Sequence, residues 1–214
     1  MTTPSEQRAR RNEERVADAE TARRYLRGLS DLMAMVEKSC LDDLVAAVDV
    51  AASSLEAGGK LLVCGNGGSA ADAQHFAAEL VATLTLDHVR AAIPAIALTT
   101  DTSLLTAIAN DFGFDRVFER QVEALGRRGD VLVGISTSGN SSNVVRATDT
   151  ARRVGLAVVA LTGASGGELA GLADVAIRVP SDVTAHIQEC HLALEQLAAL
   201  LIERRLHPRQ RSDM

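Results

Sequence analysis

The feature that most constrains this fold is an alternation, beginning after Gly59, between short apolar runs rich in β-branched residues and longer stretches with helical periodicity. Five apolar runs are present, at residues 60–64, 95–98, 130–135, 157–161 and 175–179. The stretches between them are long enough to carry crossover helices, which parallel strands require. The sequence therefore predicts an α/β fold with a doubly wound five-stranded parallel sheet.

Two helices are predicted before the first strand. Apolar residues such as Leu29 and Leu32 recur at three- and four-residue spacing over 16–37, which indicates the first helix. The same spacing predicts a second helix over 41–56, which Gly58 ends. We divide the chain into a helical segment at 1–57, a sheet domain at 58–206 and a tail at 207–214. Because the sheet domain is complete without the first helix, we expect that helix to bury its apolar residues in a homo-oligomer.

Composition excludes several classes of protein. A net charge of -6 with 2% aromatic residues argues against a nucleic-acid-binding surface. No apolar run approaches the roughly 18 residues of a membrane helix, and no signal peptide opens the chain, so we expect a cytoplasmic protein without membrane contact. Cys40, Cys64 and Cys190 are widely spaced and odd in number. Neither a disulfide framework nor a cysteine-rich zinc site is indicated.

A glycine-rich turn, GNGGSA at 65–70, follows the first predicted strand and opens a helix. Its glycines let backbone N–H groups approach an anion at the helix start. The alternative interpretation is an ordinary tight turn between strand and helix.

A second loop, STSGNSS at 136–142, follows the third predicted strand and carries five hydroxyls in seven positions. That number exceeds what one helix cap needs and suits the oxygens of a phosphoryl group. Neither loop has the Gly-Lys-Ser/Thr of a Walker motif or the spacing of the dinucleotide fingerprint. Together they favour a sugar phosphate over a nucleotide.

His75 and Glu79 stand four residues apart on the helix after the glycine turn, so they project from the same face. They could share a metal ion, or they could be a surface pair. The pattern alone leaves both interpretations open.

Four motifs occur within 58–203, in the chain order CGNGGSAADAQHFAAEL, AIAND, GDVLVGISTSGNS and IQECH. In these motifs the chain resembles the phosphoheptose isomerase branch of the SIS phosphosugar-binding family. The resemblance implies a flavodoxin-like sheet, isomerisation of sedoheptulose 7-phosphate through an enediol, a zinc ion and a homotetramer.

The resemblance also implies roles for particular residues. Zinc would be held by His75, Glu79 and Gln188, and Glu79 would act as the catalytic base. The substrate-binding positions would be Asn66, Gly67, Gly68, Ser69, Glu79, Asn110, Asp111, Ser136, Thr137, Ser138, Ser141 and Gln188.

The chain departs from the family pattern on its last predicted helix. Isomerases of the family carry a second histidine, a metal ligand and acid-base group, eight residues after the glutamine of IQE. Here that residue is Gln196, and an amide does not shuttle protons at neutral pH. We predict that Gln196 occupies the catalytic and metal-binding position as a less capable group.

Three nearby residues could substitute for the missing histidine: Glu195, His186 and His191. For the two histidines we favour a capping or packing role. A second function, that of a non-catalytic adaptor, remains open. Related SIS proteins that associate with the replication initiator DnaA also lack that histidine and act as adaptors. The intact serine loop and double glycine favour the isomerase. A sugar-phosphate-sensing regulator is the weakest alternative.

Overall fold

A computed structural model describes residues 4–85 and 89–208, with side chains from residue 11 onward. Two helices come first, α1 Pro4–Ser39 and α2 Leu41–Glu56. The strands are β1 Leu61–Gly65, β2 Ala95–Ala97, β3 Val131–Ser136, β4 Ala157–Thr162 and β5 Val175–Arg178. The remaining helices are α3 Gly68–Val81, α4 Thr102–Phe112, α5 Glu119–Leu125, α6 Ser142–Val154, α7 Gly167–Leu172 and α8 Thr184–Leu206, with a 3₁₀ turn at Phe114–Arg116.

The five strands form one parallel sheet in the order β2-β1-β3-β4-β5. Each predicted strand is confirmed to within one residue at either end, and so is the α/β class. The chain reverses its direction of winding between β1 and β3, which pair from Leu61 with Val131 to Gly65 with Ile135. In sheets of this kind, ligands bind beyond the carboxyl ends of the strands at such a reversal.

Both faces of the sheet are covered, because neighbouring residues of a strand point to opposite sides. Leu61 and Val63 of β1 pack in a core with α1, α2, α3 and α8. Leu62 and Cys64 pack in a second core with α4, α5, α6 and α7. These two layers hold the strand ends, and the loops that follow them, at one edge.

The two N-terminal helices differ in how they are buried. α2 packs Leu44 and Val48 into the first core, so the helical segment shares its core with the sheet domain. α1 buries Leu32 near its end, whereas Val16 and Leu26 are 62% and 63% exposed. Residues 209–214 of the predicted tail lie outside the described residues. No helix in the described part of the chain is both long and apolar enough to cross a membrane.

Candidate active site

The glycine turn joins β1 to α3 at the reversal point of the sheet. Gly67 has a φ of 56°, a left-handed conformation that favours glycine. A Cβ at Gly68 would lie 2.5 Å from Nε2 of Gln188 on α8. The two glycines therefore let the turn form and let α8 approach the start of α3. Ser69 is buried beneath the turn.

Three serine hydroxyls converge in the loop between β3 and α6. Oγ of Ser136 lies 3.0 Å from Oγ of Ser141 and 3.5 Å from Oγ of Ser138. Ser141 is the N-cap of α6, yet among the described residues its hydroxyl caps no amide of that helix. Its hydroxyl instead lies beside that of Ser136, at a helix start where anions are favoured. This arrangement suits the oxygens of a phosphate group.

The serine loop is held against the turn that precedes α7. The Gly139 carbonyl accepts a hydrogen bond from Leu169 N at 2.9 Å, and Asn140 Oδ1 accepts one from Glu168 N at 3.0 Å. Gly139 has a φ of 68°, and a Cβ there would collide with the Gly166 carbonyl. The backbone of Thr137 is tied to Gly163 N at 2.9 Å. These contacts fix the loop that presents the hydroxyls.

A pair of asparagine side chains joins the two loops, and one of them, Asn143, is not among the residues predicted from the sequence. Asn66 Nδ2 donates to Asn143 Oδ1 at 2.8 Å, and Asn143 Nδ2 donates back to Asn66 Oδ1 at 2.8 Å. Asn143 is 2% exposed. The available signal was an amide in the first turn of a helix, directly before Val144 and Val145. The pair couples the glycine turn to the start of α6.

His75, Glu79 and Gln196 meet where α3 packs against α8. His75 Nε2 lies 3.3 Å from Glu79 Oε1, and the side chains are 43% and 20% exposed. The Gln196 amide contacts His75 Nε2 and lies 3.4 Å from Glu79 Oε1. A carboxylate that is partly open to solvent therefore lies beside an imidazole and an amide on a shared surface.

Gln188 lies apart from that cluster, near the glycine turn. Its amide packs beside Gly68, and a rise of 1.5 Å per residue separates it from Gln196 by about 12 Å along α8. Gln188 therefore neighbours the first loop, while Gln196 neighbours His75 and Glu79.

The donor atoms in this region can accommodate one metal ion if amide oxygens take part. No group of three or more His, Cys, Asp or Glu side chains suited to a metal occurs in residues 11–85 and 89–208. Zinc favours histidine, cysteine and carboxylate ligands. The imidazole of His75 and the carboxylate of Glu79 meet that preference, and a glutamine amide can turn its oxygen toward an ion.

Asn110 and Asp111 lie at the end of α4. Asn110 Nδ2 donates to Asp111 Oδ1 at 2.7 Å, and both residues are exposed. Asp111 lines a surface groove with Leu104, Phe112 and Arg120. Within this single chain, the described hydrogen bonds do not connect the pair to either loop or to α3, so its substrate role stays a prediction.

Glu195 points into the core, away from the contact that its neighbour Gln196 makes. Its side chain is 2% exposed, lines an apolar cavity with Leu44 and Phe76, and has no hydrogen-bond partner among the described residues. Burial, and secondarily the charge of Asp72, raises the pKa of Glu195 to about 9. Glu195 is therefore a neutral acid in the core at pH 7, outside the contact that Gln196 makes with His75.

The two histidines of α8 take packing roles. His191 is fully buried, with Nε2 lying 3.1 Å from the Thr162 carbonyl, and burial lowers its pKa to about 4 against the opposing effect of that bond. The ring of His186 packs edge-on against Tyr25 of α1, with centroids 4.4 Å apart. Tyr25 in turn donates to Glu189 Oε1 at 2.9 Å.

We expect Glu195→Met to stabilise the fold by roughly 1–3 kcal/mol near pH 5, where the acid is neutral and carries the typical penalty of a buried polar group without a partner, and by more at pH 8. The folded-state pKa of Glu195 is raised, so wild type loses stability as the pH rises from about 4.5 towards 9. The gain should therefore shrink towards pH 4.5. Chemical unfolding at several pH values measures it, with exposed Glu123→Gln as the control. An equal gain at every pH would contradict this assignment.

Comparison with known proteins identifies the family. A profile of the SIS domain matches residues 24–163. The phosphoheptose isomerase of Rhodospirillum rubrum is 54% identical over 164 residues, which is 77% of this chain and 86% of the relative. That of Akkermansia muciniphila is 48% identical over 189 residues, covering 88% and 98%. The chain belongs to the phosphoheptose isomerase family of SIS-domain proteins.

Solved structures of the family share this fold. The phosphoheptose isomerase from Neisseria gonorrhoeae is 47% identical, with a TM-score of 0.78, and the match covers 89% of this chain and 98% of that one. The enzyme from Francisella tularensis is 37% identical, with a TM-score of 0.84 and coverage of 87% and 98%. The family resemblance and the flavodoxin-like fold inferred from the sequence are confirmed.

Proposed function

We propose that this chain is an aldose–ketose isomerase that converts sedoheptulose 7-phosphate into a heptose 7-phosphate. The observation that carries the proposal is the position of Glu79. Its carboxylate is partly exposed beside His75, on the helix that begins at the glycine turn. The relatives named above, at about 50% identity, are phosphoheptose isomerases.

The reaction needs one base that moves a proton between two adjacent carbons. The serine loop binds the phosphate, and the open sugar chain extends from there towards α3. Glu79 removes a proton from C1 of the ketose, which leaves an enediol, and the same carboxyl returns the proton to C2. The carbonyl moves from C2 to C1, so atoms and electrons balance within the sugar.

A second proton must move from the oxygen on C1 to the oxygen on C2. Gln196 can hold these oxygens by hydrogen bonds, because its amide both donates and accepts, but it does not carry the proton. Water or the sugar's own hydroxyls then complete this transfer. We therefore propose a slower enzyme than one with an acid-base group at position 196.

Zinc is part of the proposal. His75, Glu79 and the amide oxygen of Gln196 would hold it, whereas Gln188, the remaining ligand expected from the resemblance, packs beside Gly68 in this single chain. When bound, the ion supplies Lewis-acid polarisation of the substrate carbonyl. The closeness of the His75 and Glu79 donor atoms supports this assignment.

The direct test is to incubate the purified protein with sedoheptulose 7-phosphate, with and without zinc, and to follow formation of the aldose. Turnover supports the isomerase. No turnover of any heptulose phosphate under either condition would overturn it.

We expect Gln196→His to preserve or increase kcat, by up to the roughly 10²-fold that one acid-base group contributes. Gln196→Ala is the matched control, since it removes the amide without adding an imidazole. Steady-state kinetics and metal content of each variant are the measurements. A Gln196→His variant that retains metal but loses activity would show that position 196 lies outside the reacting centre.

The adaptor remains a second candidate because Gln196 occupies the position of the acid-base histidine. Its signature is distinct. If the wild-type chain shows no turnover and the Gln196→His variant gains isomerase activity, the natural protein belongs to the adaptor class.

We also propose that the chain forms a homotetramer in the cytoplasm, without direct nucleic-acid or membrane partners. The described cysteines are free and buried, as suits a reducing compartment. Exposed apolar residues along α1, including Val16 and Leu26, offer surface for association.

Light scattering at micromolar concentration should give a mass near 90 kDa, four times the 22.6 kDa chain. Leu26→Glu should lower that mass, because a buried unpaired carboxylate opposes association. Exposed Glu123→Gln is the control. A wild-type monomer, or a Leu26→Glu variant with unchanged mass, would contradict the assignment of α1 to the interface.

A further inference from the structure

Arg90 closes the C-terminal end of the helix that carries Glu79. Its guanidinium donates to the Glu79 carbonyl at 2.8 Å and to the Leu80 carbonyl at 2.7 Å. It also donates to the Ala91 carbonyl at 3.0 Å. The last carbonyls of an α-helix have no partner within the helix, and a cation is favoured there. Arg90 therefore satisfies the end of α3 at the residue whose side chain does the proposed chemistry.

The same guanidinium forms a buried ion pair with α8. Arg90 Nε lies 2.9 Å from Oε2 of Glu203, and the two side chains are 2% and 4% exposed. Glu203 stands seven residues after Gln196, two helical turns along, so the two side chains project from the same face of α8. One cation thus binds the main chain of Glu79 and the helix face that carries Gln196.

Lysine could not reproduce this arrangement. The guanidinium is a planar fork whose several N–H groups point in fixed directions, whereas an ammonium is a single charge on a flexible stem. Arg90 uses Nε for the carboxylate and its two terminal nitrogens for carbonyls. Each bond restrains a different part of the α3–α8 contact.

We propose that Arg90 and Glu203 form a positioning pair that sets the distance of His75 and Glu79 from Gln196. The proposal rests on the isomerase function above, because it assigns that contact to the reacting centre. The pair acts on the reaction through the placement of α3, without touching the substrate. A displacement of about 1 Å in a catalytic group can lower a rate by about 10²-fold.

The decisive variant is the double substitution Arg90→Met/Glu203→Leu. Replacing a buried ion pair by apolar residues of similar size is often neutral or stabilising, so this variant should fold. It nevertheless lacks the bonds to the Glu79 and Leu80 carbonyls. We expect kcat to fall by about 10-fold to 10²-fold while KM stays within about threefold, because the phosphate loop is untouched. Glu203→Gln and Arg90→Lys should give intermediate losses of kcat.

The matched control is Asp130→Asn. The Asp130 side chain is also 4% exposed and pairs with Lys60 Nζ at 2.5 Å, but this pair lies at the amino ends of β1 and β3, opposite the candidate site. The Asp130→Asn substitution should lower the unfolding midpoint and leave the kcat of the folded enzyme unchanged. If Arg90→Met/Glu203→Leu behaves like this control, Arg90 is structural only and the positioning proposal is wrong.

Amide hydrogen exchange provides a readout that does not depend on turnover. The double substitution should speed exchange in the last turn of α3, at residues 78–81, while Asp130→Asn should not. If wild type has no activity, the isomerase proposal fails on its own, and hydrogen exchange still tests whether the positioning pair restrains the end of α3. Unchanged exchange at 78–81 in the double variant would refute the positioning pair, whatever the activity.

Discussion

Replacing Glu79 by glutamine is expected to abolish measurable isomerase activity. The substitution keeps the size of the side chain but removes its negative charge and its ability to accept a proton. General acid-base groups contribute roughly 10²-fold to 10⁴-fold, and the neighbouring Gln196 cannot take over the proton. The measurements are kcat with sedoheptulose 7-phosphate and exchange of the C1 proton with deuterated solvent.

Glu123→Gln is the control for Glu79→Gln. Glu123 is an exposed residue of α5 that pairs with Arg120 at 3.7 Å, so its loss should leave kcat unchanged. Both variants should unfold close to the wild-type midpoint, because both side chains reach solvent. A Glu79→Gln enzyme within tenfold of wild type would assign the carbon-to-carbon transfer to another base.

Ser141→Asp should raise KM for the sugar phosphate by at least about 10²-fold without weakening the fold. Aspartate is a favoured N-cap, and its charge complements the helix start, so the unfolding midpoint should stay equal or rise. The same carboxylate would stand among the hydroxyls of Ser136 and Ser138. There it would repel a phosphate, and like charges in one site oppose binding by several kcal/mol.

Ser141→Asn separates charge from shape in this test. Asparagine caps helices about as well as aspartate and has nearly the same size, so KM should stay within about tenfold of wild type. Calorimetric titration of the sugar phosphate and thermal unfolding give the two readouts. Equal affinities of the two variants for the sugar phosphate would show that the phosphate does not bind at the serine loop.

The sequence predicted the sheet well, because its strands are buried on both faces and read as continuous apolar runs. The loops after β1 and β3 were also identified, since glycine and clustered hydroxyls mark local backbone chemistry at a helix start. The pairing of His75 with Glu79 followed from helical spacing within α3 alone.

Contacts between distant segments were beyond that kind of inference. In the sequence, Asn143 is an ordinary helix residue. Its role depends on Asn66 of a different loop, whose Nδ2 lies 2.8 Å from Asn143 Oδ1 only in the folded chain. Arg90 lies in an irregular segment without a motif, and its role depends on Glu203 at the far end of the chain.

By itself, the sequence determined the α/β class and the family, and it marked the two loops for which phosphate binding is proposed, because these features depend on short-range patterns and on motifs that remain intact. Only the tertiary structure decided which residues of α8 face which neighbours. Gln196 meets His75 and Glu79, Gln188 lies at the glycine turn, and Glu195 is buried in the core. Successive residues of a helix point about 100° apart, so the packing of α8 against α3 and α2 separates groups that are adjacent in sequence.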